Sequence, residues 1–211
     1  MDEAARGRLE AFSDGVFAIA ATLLILEIRV PDVEGADLGD QLLHLWPSYL
    51  AYATSFLTIG IIWINHHACV SCLKRADRTL LFINVVFLMV ISFIPFPTRL
   101  VAEHLQHQGE RDAVYAYDLT LLGMAVMFNI FWRYARHHRR LIADTVPQSR
   151  VDAISRAFDP GPLLYVGVLL VAIVSPLTSV ALTFVLAAFY VPAQALFERG
   201  QPWQTSGGGD L

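Results

Sequence analysis

Three long stretches of the chain contain no charged residue. Residues 41–73, 79–98 and 160–197 have no Asp, Glu, Lys or Arg. A helix crosses a bilayer with about 20 apolar residues, so the first two stretches hold one span each. The third is long enough for two spans if the chain reverses within it, and Ser175-Pro176 near its middle favours a reversal because proline interrupts helices. The pattern predicts an integral membrane protein.

Shorter apolar segments follow the N-terminus and residue 111, and they raise the predicted number of spans to six. The predicted fold class is therefore an all-α integral membrane protein with six transmembrane helices in one domain, residues 1–200. Residues 150–158 are predicted to form an interfacial helical turn before a short fifth span, and residues 201–211 a flexible tail. The spans are predicted at about residues 8–30, 46–67, 78–101, 112–137, 160–175 and 177–197.

Composition and charge support this interpretation. The chain is 55% hydrophobic and 16% charged, whereas soluble domains contain about a quarter charged residues. Twelve of the fifteen Lys and Arg residues fall on one predicted side of the membrane, and three (Arg29, Arg99 and Arg111) fall on the other. Loops rich in Lys and Arg remain in the cytoplasm, so both termini are predicted there. The chain has no nucleophile and base in the order that hydrolases use, and we do not expect an enzyme.

The first span carries acids unusually close to its apolar middle. Only twelve uncharged residues, Gly15 to Leu26, separate Asp14 from Glu27. A helix surrounded by lipid rarely places acids there. At 100° per residue, Asp14 falls at about 220° from Ile19. One stripe is therefore apolar apart from a single hydroxyl, and it consists of Phe12, Gly15, Ile19, Thr22, Leu23, Leu26 and Val30. From periodicity alone, this stripe is equally typical of helix packing and of pore lining.

Two motifs near the cytoplasmic end of the first two spans indicate a family. Arg8-Leu-Glu-Ala-Phe12-Ser13-Asp14 matches the RxxxFSD signature of the transmembrane protein 175 family, and Trp63-Ile-Asn65-His66-His67 ends the second span. Asn84 and the segment Ile94-Pro95-Phe96-Pro97-Thr98 follow in the third span. The chain resembles the bacterial members of this family over residues 8–101.

The resemblance implies a potassium-permeable cation channel in a bacterial plasma membrane. It implies a homotetramer in which four copies of the first span surround a central pore, with potassium and other monovalent cations as permeant ions and no cofactor, metal or nucleic acid. By position after the FSD motif, the narrow apolar constriction falls on Ile19. The neighbouring layers fall on Thr22, Leu23 and Leu26.

Such a pore would differ from that of channels with a carbonyl-lined filter. The chain has no TVGYG-type loop, so backbone carbonyls cannot replace the hydration shell of the ion. A ring of Ile and Leu side chains can close by dewetting, and Thr22 supplies the only hydroxyl for a selectivity layer. Glu27, and alternatively Asp32, would concentrate cations at the outer mouth.

Polar residues at the cytoplasmic level are predicted to form a structural network. Asp14 faces away from the stripe, and pairing with a histidine of the second span or a nearby arginine such as Arg8 would compensate its charge. A proton-sensing role for His66 and His67 is the open alternative.

Two other function classes remain open at this point. Asp118 is the one acid well inside a charge-free stretch of the fourth span, near its outer end, where it could meet Arg29 or Arg99 or extend to water. It would be the coupling carboxylate if the chain were a proton- or cation-coupled transporter. His66, Cys69 and Cys72 share one helical face, but no second cluster completes a metal or redox site, which favours reduced thiols.

Overall fold

The computed structural model of the protein describes residues 3–29 and 38–198, and the long elements in this part of the chain are all helices. The nine α-helices found there are α1 (Glu3–Leu23), α2 (Leu38–His44), α3 (Trp46–Ser71), α4 (Arg78–Phe93), α5 (Pro95–His104), α6 (Glu110–Arg136), α7 (Gln148–Phe158), α8 (Gly161–Val174) and α9 (Pro176–Glu198). Short 3-10 turns follow α1 at Leu24–Glu27 and α6 at His137–Arg139.

Five of the segments in this region are long and apolar enough to cross a membrane. They are Arg6–Glu27, Trp46–Ser71, Arg78–His104, Glu110–Arg136 and Gln148–Val174. Pro176–Ala188 forms a shorter apolar stretch of α9. The prediction of an all-helical, multi-pass membrane protein is confirmed. The predicted tail at residues 201–211 lies outside the described residues.

Prolines interrupt the helices at two places, once within the predicted third span and once between the predicted fifth and sixth spans, where the sequence indicated a reversal. Pro95 has no N–H to donate to the preceding turn, so α4 ends at Phe93 and the amide of Ile94 bonds to Ile91 O at 3.2 Å. The chain reverses at Ser175, whose extended backbone (φ −148°, ψ 103°) separates α8 from α9. The expected helical turn before the fifth span is a full helix, α7, and two residues separate its end from the start of α8.

The first span differs from its predicted bounds. Its α-helix ends at Leu23, and a 3-10 turn then carries the chain to Glu27, whereas the prediction extended to residue 30. Val30 lies outside the described residues. α1 packs against α3 and α4, α3 packs against α5 and α9, and α6 packs against α4, α5 and α8. The helix with the predicted stripe is therefore held from one side by α3 and α4.

A short backbone bridge joins the loop after α3 to the connection between α6 and α7. Leu73 pairs antiparallel with Ile142. The amide of Lys74 donates to Leu141 O, and the amide of Ala143 donates to Cys72 O, each at 2.9 Å. Both segments are buried at this point, so the two loops form one structural unit at the end of the helices.

Candidate functional site

One face of α1 and of the 3-10 turn that follows it is buried, and the opposite face is uncovered in the single chain. Leu9, Phe17, Ala20 and Leu24 are buried against the neighbouring helices. The uncovered face carries large apolar side chains, of which Phe12 is 58% exposed, Ile19 61%, Leu23 42% and Leu26 72%. Gly15 and Thr22 are exposed on the same face. These are the residues that the helical periodicity placed on one stripe.

Thr22 is the hydroxyl of this face, and its hydrogen is directed along the helix. Its Oγ1 lies 2.9 Å from Ala18 O and 3.0 Å from Ile19 O, the geometry of a threonine donating to its own helix. A hydroxyl has one hydrogen and two acceptor lone pairs. With the hydrogen engaged inside the helix, the lone pairs are left for a ligand on the exposed face, and such a ligand would be a cation or water.

A buried polar chain joins α1 to α3 and α4. Asn84 Nδ2 donates to Ser13 Oγ at 3.0 Å, and Asn84 Oδ1 lies 2.9 Å from His66 Nε2. Ser13 Oγ in turn donates to Leu9 O at 2.8 Å. All three side chains are buried. Ser13 of the FSD motif and His66 of the second motif therefore meet through Asn84.

Aromatic rings enclose the imidazole of His66. The ring of Phe87 stacks on it with centroids 5.7 Å apart and an interplanar angle of 16°. Phe17 and Phe131 lie at 5.6 and 5.2 Å. Phe17 comes from α1, so the same cluster buries apolar surface of the candidate pore helix. His66 is thus part of the packing that positions α1.

Asp14 and Glu10 make further contacts from α1 to α3. Trp63 Nε1 donates to Asp14 Oδ1 at 2.8 Å, and His67 Nδ1 lies 3.0 Å from Glu10 Oε1. The prediction that Asp14 pairs with a histidine or an arginine is wrong in its choice of partner, because the indole reaches the carboxylate and His66 is turned to Asn84. A histidine pairing does exist, but it belongs to Glu10.

The remaining residues of the two motifs lie apart from this chain of contacts. Arg8 is exposed on the side of α1 that carries the stripe. Asn65 is buried and lines a cavity together with Asn129 and Phe158. Arg6 joins α1 to the loop after α3, because its Nη1 donates to Leu73 O at 3.1 Å. Sequence reasoning missed Arg6 because nothing in its position indicates a partner 67 residues away.

The acid predicted at the outer mouth is part of an ion-pair cluster. Glu27 Oε2 lies 3.7 Å from Arg99 Nε, and Glu103 pairs with Arg99 at 2.8 Å and with Arg29 at 2.7 Å. Two carboxylates thus face two guanidinium groups, and the charge of Glu27 is largely offset. Asp32, the other predicted acid, lies outside the described residues.

Asp118 also has a different partner from the expected arginines. Its side chain is buried, and Ser179 Oγ lies 2.6 Å from Asp118 Oδ2 and 3.1 Å from Val168 O. No described residue hydrogen bonds to Oδ1, which is also buried. The carboxyl group joins α6 to α9, and Ser179 joins α9 to α8. It lies on a different helix from the exposed face of α1.

The cysteines are buried thiols at the C-terminal end of α3. Cys69 and Cys72 are both free, and Cys72 Sγ lies 3.3 Å from Ala68 O. Over residues 3–29 and 38–198, no three His, Cys, Asp or Glu side chains gather as metal ligands. The imidazole of His66 is engaged by Asn84, so these three residues do not converge.

Comparison with known proteins by family model, sequence and structure identifies potassium channels and TMEM175 proteins as similar to this chain. The family model for the endosomal/lysosomal potassium channel TMEM175 matches residues 8–95. A potassium channel of Chamaesiphon minutus is 44% identical over 192 residues, which cover 90% of this chain and 95% of that protein. A potassium channel of Streptomyces collinus is 41% identical over 186 residues, which cover 87% and 90%. The crystal structure of a lysosomal potassium-selective channel TMEM175 homolog from Chamaesiphon minutus has a TM-score of 0.83 at 42% identity and covers 90% of this chain and 98% of its own. The chain therefore belongs to the TMEM175 family.

Proposed function

We propose that this protein is a potassium-permeable channel whose pore is lined by the exposed face of α1. The observation that carries the proposal is the apolar stripe around Ile19, which one chain leaves uncovered on a helix that is firmly packed on its other side. The relatives that match nearly the whole chain at over 40% identity are named potassium channels. A second copy, and not lipid alone, is the natural cover for this face, because acids bound the stripe closely.

In this proposal four chains surround the pore, and each contributes six spans. The five long apolar segments supply five of them, and α9 supplies the sixth from Pro176 onward. The full-length similarity to channels of the bacteria Chamaesiphon minutus and Streptomyces collinus supports a bacterial plasma membrane location. The distribution of Lys and Arg supports an orientation with both termini in the cytoplasm. The polar contacts of Ser13 with α4, and of Asp14 and Glu10 with α3, then hold α1 in place while its other face lines the pore.

The exposed residues of α1 have distinct roles in conduction. Ile19 forms the narrow apolar ring, with Leu23 and Leu26 as further apolar layers, and passage requires an ion to give up water there. Thr22 is the selectivity layer. Its hydroxyl hydrogen is donated to a carbonyl of the same helix, so the oxygen lone pairs face outward. Four hydroxyls replace hydration less completely than a set of eight carbonyls, so the preference for potassium over sodium is modest.

The deciding experiment is ion flux through purified protein in liposomes at clamped voltage. We expect potassium current that rises almost linearly with concentration, and a smaller sodium current. The mass of the protein measured in detergent, after the bound detergent is subtracted, should equal four chains of 23.5 kDa. A conducting monomer would exclude the central pore. Flux that saturates at low concentration and depends on a proton gradient would favour a coupled transporter.

The transporter remains the second candidate because of Asp118. Its carboxyl group is buried at membrane depth, and Oδ1 has no hydrogen-bond donor among the described residues. Buried acids of this kind serve as proton sites in transporters. The absence of an ionisable side chain on the exposed stripe of α1 between Phe12 and Leu26 favours the channel.

A further inference from the structure

A basic pocket lies where α6 ends and α7 begins. It is lined by Arg133, Arg136, His137, Arg139, Gln148 and Val151, and its volume is about 340 Å³. α6 belongs to a membrane-spanning segment that ends at Arg136. The pocket is therefore at the depth of the lipid headgroups, and it is separate from the exposed face of α1.

Three guanidinium groups converge on this pocket, and only part of their donor capacity is used by the protein. Arg136 is held by Ser155 Oγ at 2.9 Å and by Asp159 at 3.2 Å. Arg133 reaches Asp159 through Nε at 3.4 Å, its side chain is 61% exposed, and no described residue accepts from its Nη groups. One carboxylate thus faces two arginines, and their charge is only partly offset.

The third arginine is placed by an unusual backbone conformation. Arg139 has φ +54°, in the left-handed region that side chains other than glycine rarely adopt. The turn directs its guanidinium to Gln148 Oε1 at 2.6 Å and to Val146 O at 2.7 Å. These partners are neutral, so the charge of Arg139 is retained. The other nearby acid, Asp152, accepts from Gln148 Nε2 at 2.8 Å.

Guanidinium groups recognise phosphate oxygens through paired N–H donors. Basic pockets between helices at the cytoplasmic side of a membrane bind anionic headgroups. The neighbouring α8 offers a surface for acyl chains, because Leu163 is 75% exposed and Leu170 58%. A phospholipid can therefore place its phosphate in the pocket and its chains along α8, an arrangement that free phosphate cannot exploit.

We propose that this pocket binds the phosphate of an anionic phospholipid from the adjacent leaflet. Arg133 and Arg139 supply the free donors, and Arg136 forms the wall. The lipid thereby connects the end of α6 to the start of α7. The site does not depend on which ion the protein conducts.

The proposal is tested by the lipid that stays with the purified protein. Protein is reconstituted in bilayers of equal phosphatidylglycerol and phosphatidylcholine, extracted in mild detergent, and its retained phospholipid is measured by mass spectrometry. We expect phosphatidylglycerol to be enriched. Arg133→Gln should reduce the enrichment on the order of tenfold, the loss of one charge-assisted pair, and Arg133→Lys should restore part of it.

Arg156→Gln is the matched control, since it removes the same charge from an exposed position of α7 outside the pocket. An equal loss of enrichment in this variant would mean that general surface charge attracts the lipid, and would overturn the proposal. No enrichment in the parent would also overturn it. Displacement of the lipid by excess inorganic phosphate would identify a free anion as the ligand instead. If Arg133→Gln elutes unlike the parent on size exclusion, Arg139→Gln gives the same readout.

Discussion

Trp63 donates its indole N–H to Asp14 across 2.8 Å and so joins α3 to α1 through a neutral donor. We expect Trp63→Phe to cost about 1 kcal/mol of stability, the net value of a hydrogen bond that is partly exposed, and Asp14→Asn to cost less because an acceptor oxygen remains. Thermal unfolding of the detergent-purified protein measures both. The double variant should lose less than the sum, and full additivity would show that the two residues do not interact. The ratio of potassium to sodium permeability should not change, and a changed ratio would place Asp14 on the pore.

Asn84 should be more costly to replace, because it connects two buried groups. Asn84→Ala leaves both Ser13 and His66 without this partner, and unsatisfied buried polar groups cost about 1–3 kcal/mol each. We expect a clearly lower midpoint of thermal unfolding and less assembled protein. Ser92→Ala is the control on the same helix, since its hydroxyl is exposed and bonds only to Met89 O. An equally stable Asn84→Ala would show that α1 does not depend on this contact.

Bi-ionic reversal-potential recordings should distinguish the role of Ile19 from that of Thr22. Ile19→Asn allows water and ions to be hydrogen bonded at the ring, so basal current should rise and the preference for potassium over sodium should fall. Thr22→Val removes only the hydroxyl, so selectivity or current should fall while the pore is not held open. Leu170→Asn, at an exposed position of α8, should leave the reversal potential unchanged. If Ile19→Asn has no effect, the stripe is a packing face and the transporter becomes the better hypothesis.

Asp118 discriminates between the two functions. In a channel lined by α1, Asp118→Asn should preserve potassium current, because the amide still accepts from Ser179 while no charge is needed. Asp118→Ala removes the acceptor from a buried site, and its stability should fall by about 1–3 kcal/mol. The measurements are liposome flux and thermal unfolding. Loss of all transport in a stable Asp118→Asn protein would indicate a coupling carboxylate.

Asp77 provides a pH-dependent contribution outside the spans. Burial alone would raise the pKa of this carboxyl, but hydrogen bonds from Leu80 N–H, Tyr134 and Arg140 outweigh it and hold the pKa below its usual value. A carboxyl whose folded pKa is lowered stabilises the protein above its unfolded pKa and loses that effect as pH falls through the folded value. The difference in thermal stability between the parent and Asp77→Asn should therefore be largest near neutral pH and shrink below about pH 4. A constant difference would contradict the assignment.

Helical periodicity and charge predicted much of this protein. The stripe on the first span and the reversal at Ser175 depend on local rules, and both were found. Polar partners were harder to predict, because they depend on how distant helices pack. Asp118 and Ser179 are 61 residues apart, and Asp14 and Trp63 are 49 apart. Sequence indicated that each acid needs a partner but did not indicate which donor the fold brings to it.

The bridge between Leu73 and Ile142 also limits the order in which the protein is built. The loop after α3 leaves the ribosome long before residue 142. Helices α4, α5 and α6 lie between the two bridged residues in the sequence and are still to be inserted into the bilayer at that stage. Lys74 and Cys72 must wait for their backbone partners until those helices are in the bilayer, while Arg6 can already occupy Leu73 O. The backbone pairing is therefore completed only when the second half of the subunit arrives, whereas the contact between Arg6 and Leu73 O needs only the first two spans.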